Sequence, residues 1–337
     1  MKEIKITSKE ENQRLDKYLM KYFNKAPKSF IYKMLRKKRI KYNGKKAEGN
    51  EMIKNGDSLQ LYLSDETMEG FMEEKTLNVA KRHFGIVYED ENVIFVSKPA
   101  GLLTHPEKDI DKDTLIDQIL YYLYEKGEYT PSASSVFTPA VCNRLDRNTS
   151  GIVVAGKNLM AVQELNRAIQ EKKLDKYYIA VVKGGIKKDG ELTGYIKKNS
   201  DSNTSSISKT EMAGSKKVIT KYKVIGESDK YNLLEIMLIT GKSHQIRAQF
   251  SSMGHPLVGD RKYGNEVINK YFKVNYGLNN QFLHAYKIVL NINDGGLSYL
   301  SGREFTASLP EPLNTIKKDI FEWCIQKFSW EEEEWKL

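Results

Sequence analysis

Arg144, Asp146 and Arg147 fall within four positions of the stretch VCNRLDRNTSGIVVAGK, residues 141–157. An Asn-Thr-Ser-Gly turn signal and an apolar run follow, which puts Asp146 at the rim of a buried strand. A carboxylate between guanidiniums has two readings. One is a structural ion pair with Arg144 or Arg147, a common surface arrangement. The other is a reactive group: positive neighbours favour the ionised form, and an ionised Asp in a basic cleft can act as nucleophile or base. The flanking arginines argue against cation binding.

Other familiar chemistries are not written in the chain. Residues 240–244, TGKSH, contain Gly-Lys-Ser, but a phosphate loop needs a glycine five places before Gly241 and Ile236 stands there. No GxGxxG opens a helix, no HExxH occurs, and no Gly-x-Ser-x-Gly surrounds Ser150. The five histidines, at 83, 105, 244, 255 and 284, are scattered and form no metal-ligand pattern. Two cysteines, Cys142 and Cys324, do not make a disulfide framework. Neither a metal nor a nucleotide cofactor is expected.

With 337 residues, 40% hydrophobic and 29% charged, the chain reads as soluble and globular, in about two domains. No run approaches the roughly 20 apolar residues of a membrane span, and the first residues have no apolar signal-peptide core. The cytoplasm is the default compartment, and nothing demands more than a monomer. The net charge of +10 is uneven. Residues 1–63 hold 17 Lys and Arg against 7 Asp and Glu, while the other 274 residues hold 37 of each sign. Such concentration suggests a polyanion partner.

Residues 14–23 place Leu15, Tyr18, Leu19, Tyr22 and Phe23 at helical spacing, with Pro27 as the stop. Residues 28–40 predict a second helix with Phe30, Ile31, Met34 and Leu35 inward. Lys33, Arg36, Lys37, Lys38 and Arg39 crowd its other face and end. Asn43-Gly44 is a hairpin signal, and residues 53–63 offer another Asn-Gly turn and an alternating strand. Residues 64–83 read as a linker. A hairpin is predicted over 84–101, a helix capped by Asn158 over 158–173, a buried strand over KYYIAVVKG and a mobile polar loop over 197–216. Strands resume over 217–226 and 231–240, and residues 329–337 form an acidic tail of no clear role. Strands and helices do not alternate regularly. The fold class is therefore α+β with a mixed, mainly antiparallel central sheet flanked by helices and loops.

The stretches QRLDKYL, KSFIYKMLRKKRIKYNGKKA and IKNGDSLQL resemble the alpha-L RNA-binding motif shared with a small-subunit ribosomal protein. That resemblance implies that Lys33, Arg36, Lys37, Lys38 and Arg39 dock on structured RNA, positioning rather than reading sequence. NRLDRNTSGIVV, KPAGLLTHP, KYYIA, TGKSHQIRAQFSSMGHPLVGD and FLHA, across residues 84–310, together resemble the RluA-type pseudouridine synthase family. The division implied is an alpha-L module over 1–63, a linker over 64–83 and a synthase domain over 84–328. The resemblance makes Asp146 the catalytic aspartate, Tyr178 the tyrosine that stacks on the base and Arg247 the basic partner of the aspartate. It makes Arg144 the arginine associated with base flipping and Leu283 an apolar neighbour of the pocket. Asn143 stands where many members have His, and Lys242 where many have Arg. The implied substrate is a uridine in RNA, with large-subunit ribosomal RNA favoured over transfer RNA. A non-catalytic RNA-binding assembly factor and an unrelated sugar or nucleotide enzyme are the competing readings.

Overall fold

The computed structural model describes residues 1–73, 76–107, 111–132, 136–199 and 203–325; the tail at 329–337 lies outside these. The N-terminal part contains β1 (Lys2–Lys5), β2 (Gln13–Arg14), α1 (Leu15–Tyr22), α2 (Lys28–Arg36), β3 (Ile40–Tyr42), β4 (Lys45–Lys46), β5 (Met52–Ile53) and β6 (Ser58–Leu61). An antiparallel sheet of order β1-β6-β3-β4 and a β2-β5 ribbon accompany the two helices. Leu15, Leu19 and Phe23 from the first helical stretch meet Ile31 and Leu35 of α2 and Leu59 and Leu61 of β6 in one core. Asn43 and Gly44 both take positive φ, 48° and 75°, so the predicted Asn-Gly turn joins β3 to β4.

Three local expectations need correction. The first helix stops at Tyr22, and Pro27 is instead the extended residue that precedes α2. That second helix ends at Arg36 rather than at 40: Lys38 turns to a φ of 58° and Ile40 enters the sheet beside β6. Pairing overrides the helix preference of the Lys-Arg run. The stretch 64–83 opens with a short helix, α3 (Asp65–Gly70), capped by Ser64, whose Met68 joins the N-terminal core.

The rest of the chain contains β7 (Gly85–Glu89), β8 (Val93–Lys98), α4 (Leu115–Glu125), β9 (Ala140–Val141), β10 (Ser150–Gly156), α5 (Leu159–Gln170), β11 (Leu174–Lys183), β12 (Gly190–Asn199) and β13 (Thr204–Ser208). There follow β14 (Lys216–Glu227), β15 (Tyr231–Leu238), α6 (Gln245–Ser252), α7 (Glu266–Tyr276), β16 (Leu283–Leu290), β17 (Glu304–Thr306) and α8 (Leu313–Ile325). One large sheet runs β13-β12-β14-β15-β11-β16-β10-β8-β7, with β9 and β17 pairing at its middle. Every pairing is antiparallel except β10 with β16. The mixed, mainly antiparallel sheet is as expected. The hairpin of β7 and β8 forms, and Asn158 caps α5 by accepting from the Ala161 amide at 2.8 Å.

The stretch 197–216 is not simply a loop. Among its described residues, 197–199 extend β12 and Thr204–Ser208 form the edge strand β13 paired to it. The strand reads Thr-Ser-Ser-Ile-Ser, with Ile207 opposite Ile196, so pairing supplies the hydrogen bonds that the composition alone does not advertise.

The parallel pair at the sheet's centre needs Gly151. Its φ is +119°, and a Cβ there would stand 2.2 Å from the Ala285 carbonyl oxygen. Only glycine lets β10 approach β16 this closely. Asp146 sits five residues upstream of that crossing.

Candidate active site

The loop carrying Asp146 is fastened to the loop after β8. Thr104 donates its hydroxyl to the Leu145 carbonyl at 3.1 Å. The Gly101 amide donates to the Arg147 carbonyl at 2.9 Å, and Arg147 Nε returns to the Gly101 carbonyl at 3.1 Å. Lys98, fully buried, donates Nζ to the carbonyls of Pro99, Leu102 and Arg147 at 3.0, 2.8 and 3.0 Å. Three acceptors match the three N–H groups of an ammonium. Burial pulls the Lys98 amine down to about 7, with Asp146 opposing. The stretches KPAGLLTH and RLDRNTSG therefore form one rigid rim.

The second support is α6. Gln245, buried at its first position, donates Nε2 to the Ile219 carbonyl and to Thr220 Oγ1 at 3.1 and 2.9 Å. Its Oε1 accepts from Thr240 Oγ1 and from the Lys242 amide, at 3.0 and 3.1 Å. These bonds fix the helix start, and Arg247 follows within the first turn. Arg247 divides its fork. Nε and Nη2 donate to Asp260 at 2.6 and 2.9 Å, and Nη1 donates to Asp146 Oδ2 at 2.9 Å. Burial works against the guanidinium charge, but Asp260 and Asp146 outweigh it and raise the group above its ordinary value.

Exposure separates the three members. The Asp260 side chain is 0% exposed, Arg247 6% and Asp146 25%. Only the last can meet a substrate. Asp146 Oδ1 has no hydrogen bond among the described residues, so one oxygen is held and one is free.

His244 stands at the N-cap of α6 with a φ of 60°. Its Nε2 lies 3.8 Å from Asp146 Oδ2, and its Nδ1 lies 2.9 Å from the Tyr263 hydroxyl. That hydroxyl accepts from the Ser205 amide at 2.5 Å, which leaves its proton for Nδ1 and assigns the Nε2–H tautomer facing Asp146. Burial lowers the imidazole below its ordinary value, against the pull of Asp146. The Tyr263 ring also carries the Arg247 guanidinium, 5.0 Å from its centroid.

Tyr178 follows a bulge in β11, opposite Ile236 on β15 and Ala285 on β16. It is buried with Leu145, Ile246 and Leu283 in the same core. Burial, then the nearby Asp146 charge, raises its phenol well above the ordinary tyrosine value. Asp146, Arg247, Tyr178 and Leu283 are thus brought together.

The flanking arginines behave differently. Arg144 is exposed and sits near His105, whose imidazole is lowered by burial and by Arg144. Arg147 is exposed and serves the Gly101 carbonyl. Among the described residues neither pairs with Asp146; its partner is Arg247. Asn143, at a departure from the family pattern, accepts from the Val154 amide at 2.8 Å and donates to the Ile152 carbonyl at 3.3 Å, so it stitches the loop to β10. Lys33, Arg36, Lys37, Lys38 and Arg39 are all exposed on the N-terminal part, and none forms an ion pair among the described residues.

Asp260, His244, Tyr263 and Lys98 were not singled out by sequence reasoning, although each lies in or beside a motif stretch. Their roles depend on contacts across the fold. Among the described residues no group of three or more His, Cys, Asp or Glu is placed to hold a metal ion.

A site of one open carboxylate, one buried guanidinium and one buried tyrosine can be compared with known proteins. The family model described as RNA pseudouridylate synthase matches residues 92–252. An uncharacterized RNA pseudouridine synthase of Aquifex aeolicus is 33% identical over 267 residues, covering 78% of this chain and 79% of that protein. The ribosomal large subunit pseudouridine synthase C of Rickettsia conorii is 33% identical over 291 residues, covering 83% and 89%. Among solved structures, the human RNA pseudouridylate synthase domain containing 4 overlays with a TM-score of 0.54 at 20% identity, covering 69% of this chain and 91% of that one. That overlay shows a shared fold.

Proposed function

The chain belongs to the RluA-type RNA pseudouridine synthases, isomerases acting on RNA, and from that premise we propose that it isomerises uridines of large-subunit ribosomal RNA with Asp146 as the reacting carboxylate. The observation that carries this reading is the divided fork of Arg247, which holds Asp146 Oδ2 and leaves Oδ1 without a hydrogen bond among the described residues, with Tyr178 near enough to feel the carboxylate charge.

Pseudouridine formation breaks the N1–C1′ bond, turns the base and joins C5 to C1′. No atom is added and no electron is lost. Ordinary glycoside hydrolysis uses two working carboxylates, one of them to manage water. Here the second carboxylate, Asp260, is fully buried, with both oxygens engaged by Arg247. One free carboxylate suits a reaction that keeps its leaving base. Asp146 would open it by attack at C1′, by attack at C6 or by removal of the 2′ proton, and Arg247 would hold it ionised and aimed. Tyr178 would stack on the detached base, with Leu283 closing the apolar side.

A uridine inside folded RNA must first be turned out, at a cost of a few kcal/mol. Phosphate contacts by Lys33, Arg36, Lys37, Lys38 and Arg39 offset that cost in this reading. Arg144, exposed next to Leu145 of the rim, would meet displaced RNA in this reading. Large-subunit RNA is favoured over transfer RNA by the basic N-terminal part and by what the Rickettsia relative is named for.

The test uses large-subunit RNA carrying tritium at uridine C5, from cells lacking this gene. Joining C5 to C1′ expels that hydrogen. Wild type should release tritium and Asp146→Asn should not. Release by both proteins removes Asp146 from the mechanism. Binding without release by wild type supports the clamp-like assembly factor instead.

A further inference from the structure

The loop that carries Asp260 also forms one wall of a second feature. A concavity of about 300 Å³ is lined by Gly259, Arg261, Asn269, Lys270, Lys273 and Leu278, with no carboxylate in its wall. Arg261, Lys270 and Lys273 are exposed, and none of their side chains has an acidic or hydrogen-bonding partner among the described residues. Three unneutralised cations around one hollow form a strong local positive potential.

The hollow is built rather than accidental. Asn269 of α7 accepts from the Gly259 amide and donates to the Asp260 carbonyl, both at 2.8 Å. Gly259 has a φ of +78°, and a Cβ there would stand 2.2 Å from the Asn280 carbonyl oxygen. Glycine is therefore required where the wall folds back. The same loop continues into Asp260, and through it to Arg247 and Asp146.

We propose that this concavity seats a backbone phosphate of the substrate RNA, outside the nucleotide that reacts. The proposal rests on the RNA substrate assigned above. Arg and Lys at such a site position the strand without reading its sequence. A phosphate held there would also brace the loop whose Asp260 holds Arg247.

The test is amine footprinting of the full chain with a limiting acetylating reagent, read by mass spectrometry, with and without a large-subunit RNA fragment. Bound RNA should lower the acetylation of Lys270 and Lys273 about fivefold or more. Losing the seat for one phosphate in Arg261→Ala/Lys270→Ala/Lys273→Ala should flatten the dependence of log affinity on log salt by roughly 0.7 to 0.9. An unchanged unfolding midpoint certifies that this variant is folded.

Equal acetylation with and without bound RNA, or an unchanged salt slope, overturns the proposal. Protection by millimolar inorganic phosphate as complete as that by RNA overturns the assignment to the RNA backbone. Binding and footprinting do not need turnover. A wild type that binds RNA but releases no tritium therefore defeats the catalytic reading alone, and the footprint still decides the pocket. A wild type that binds no RNA defeats both.

Discussion

Replacing Arg247 separates its structural role from its proposed aiming of Asp146. Arg247→Met removes two charge-assisted bonds to Asp260 and one to Asp146. Breaking a buried pair by removing one partner costs about 3–5 kcal/mol, because the other charge is left behind. Asp260 still accepts from the amides of Lys262 and Tyr263 at 2.9 and 3.1 Å, which points to the lower end, about 3 kcal/mol. For a domain of this size that lowers the melting temperature by about 6–12 °C. Adding Asp260→Asn removes the stranded charge, and the double variant should regain about 2 kcal/mol of the loss. Activity should not return, since nothing then aims Asp146. Urea unfolding and tritium release on the two single variants, the double variant and wild type give the full cycle. A double variant no more stable than Arg247→Met refutes the stranded-charge argument. Recovered turnover in the double variant refutes the positioning of Asp146 by Arg247.

Three further outcomes follow from the same contacts. His284 is fully buried between Ser150 Oγ at 2.8 Å and the Ala307 carbonyl at 3.1 Å, and burial pulls it down to about 4. The unfolded chain takes up this proton first as pH falls, so stability should drop by about 3 kcal/mol between pH 6.5 and 4; an NMR titration of His284 at its ordinary value would contradict this. Gly151→Ala should cost upwards of about 3 kcal/mol, because both its φ and the Ala285 backbone oppose a Cβ, and a melting temperature within a few degrees of wild type would refute the close approach. Tyr178→Phe should keep turnover within about threefold, while Tyr178→Leu should lose about 10- to 100-fold, the worth of one stacked base. Equal losses in the two variants, read by tritium release, would assign the work to the hydroxyl.

Asp146 and Arg247 are legible through motif stretches, NRLDRNTSGIVV and TGKSHQIRAQFSSMGHPLVGD, that resemble a family; on its residues alone Asp146 reads first as a structural ion pair. The structure brings the two side chains to 2.9 Å. Lys98, Tyr263 and Asp260 act only across the fold. Lys98 looks like a strand-end lysine until its three carbonyl partners are seen. Tyr263 gains its role through Ser205, on the edge strand that serine-rich composition reads as loop. The end of α2 was misjudged for a related reason. Lys and Arg favour helix locally, but Ile40 is claimed by a strand partner, Leu61, that lies 21 residues on.

The motif's own arginines were the natural partners for Asp146 on paper, and the fold explains why they are not. Leu145 is driven into the core with Tyr178 and Ile246. Burying that side chain ties the loop to Thr104 and leaves Arg144 and Arg147 exposed. A solvated arginine on a loop holds a carboxylate weakly, because water competes for both charges. Arg247 is different. It comes from a helix whose first residue is fastened by four hydrogen bonds, and two more of its donors are taken by a carboxylate with no access to water. Such a guanidinium has little freedom left, so the oxygen it touches is placed within narrow limits. Asp146, the most exposed of the three, is therefore oriented from behind, from 101 residues away, while Arg147 serves the Gly101 carbonyl and Arg144 stays exposed.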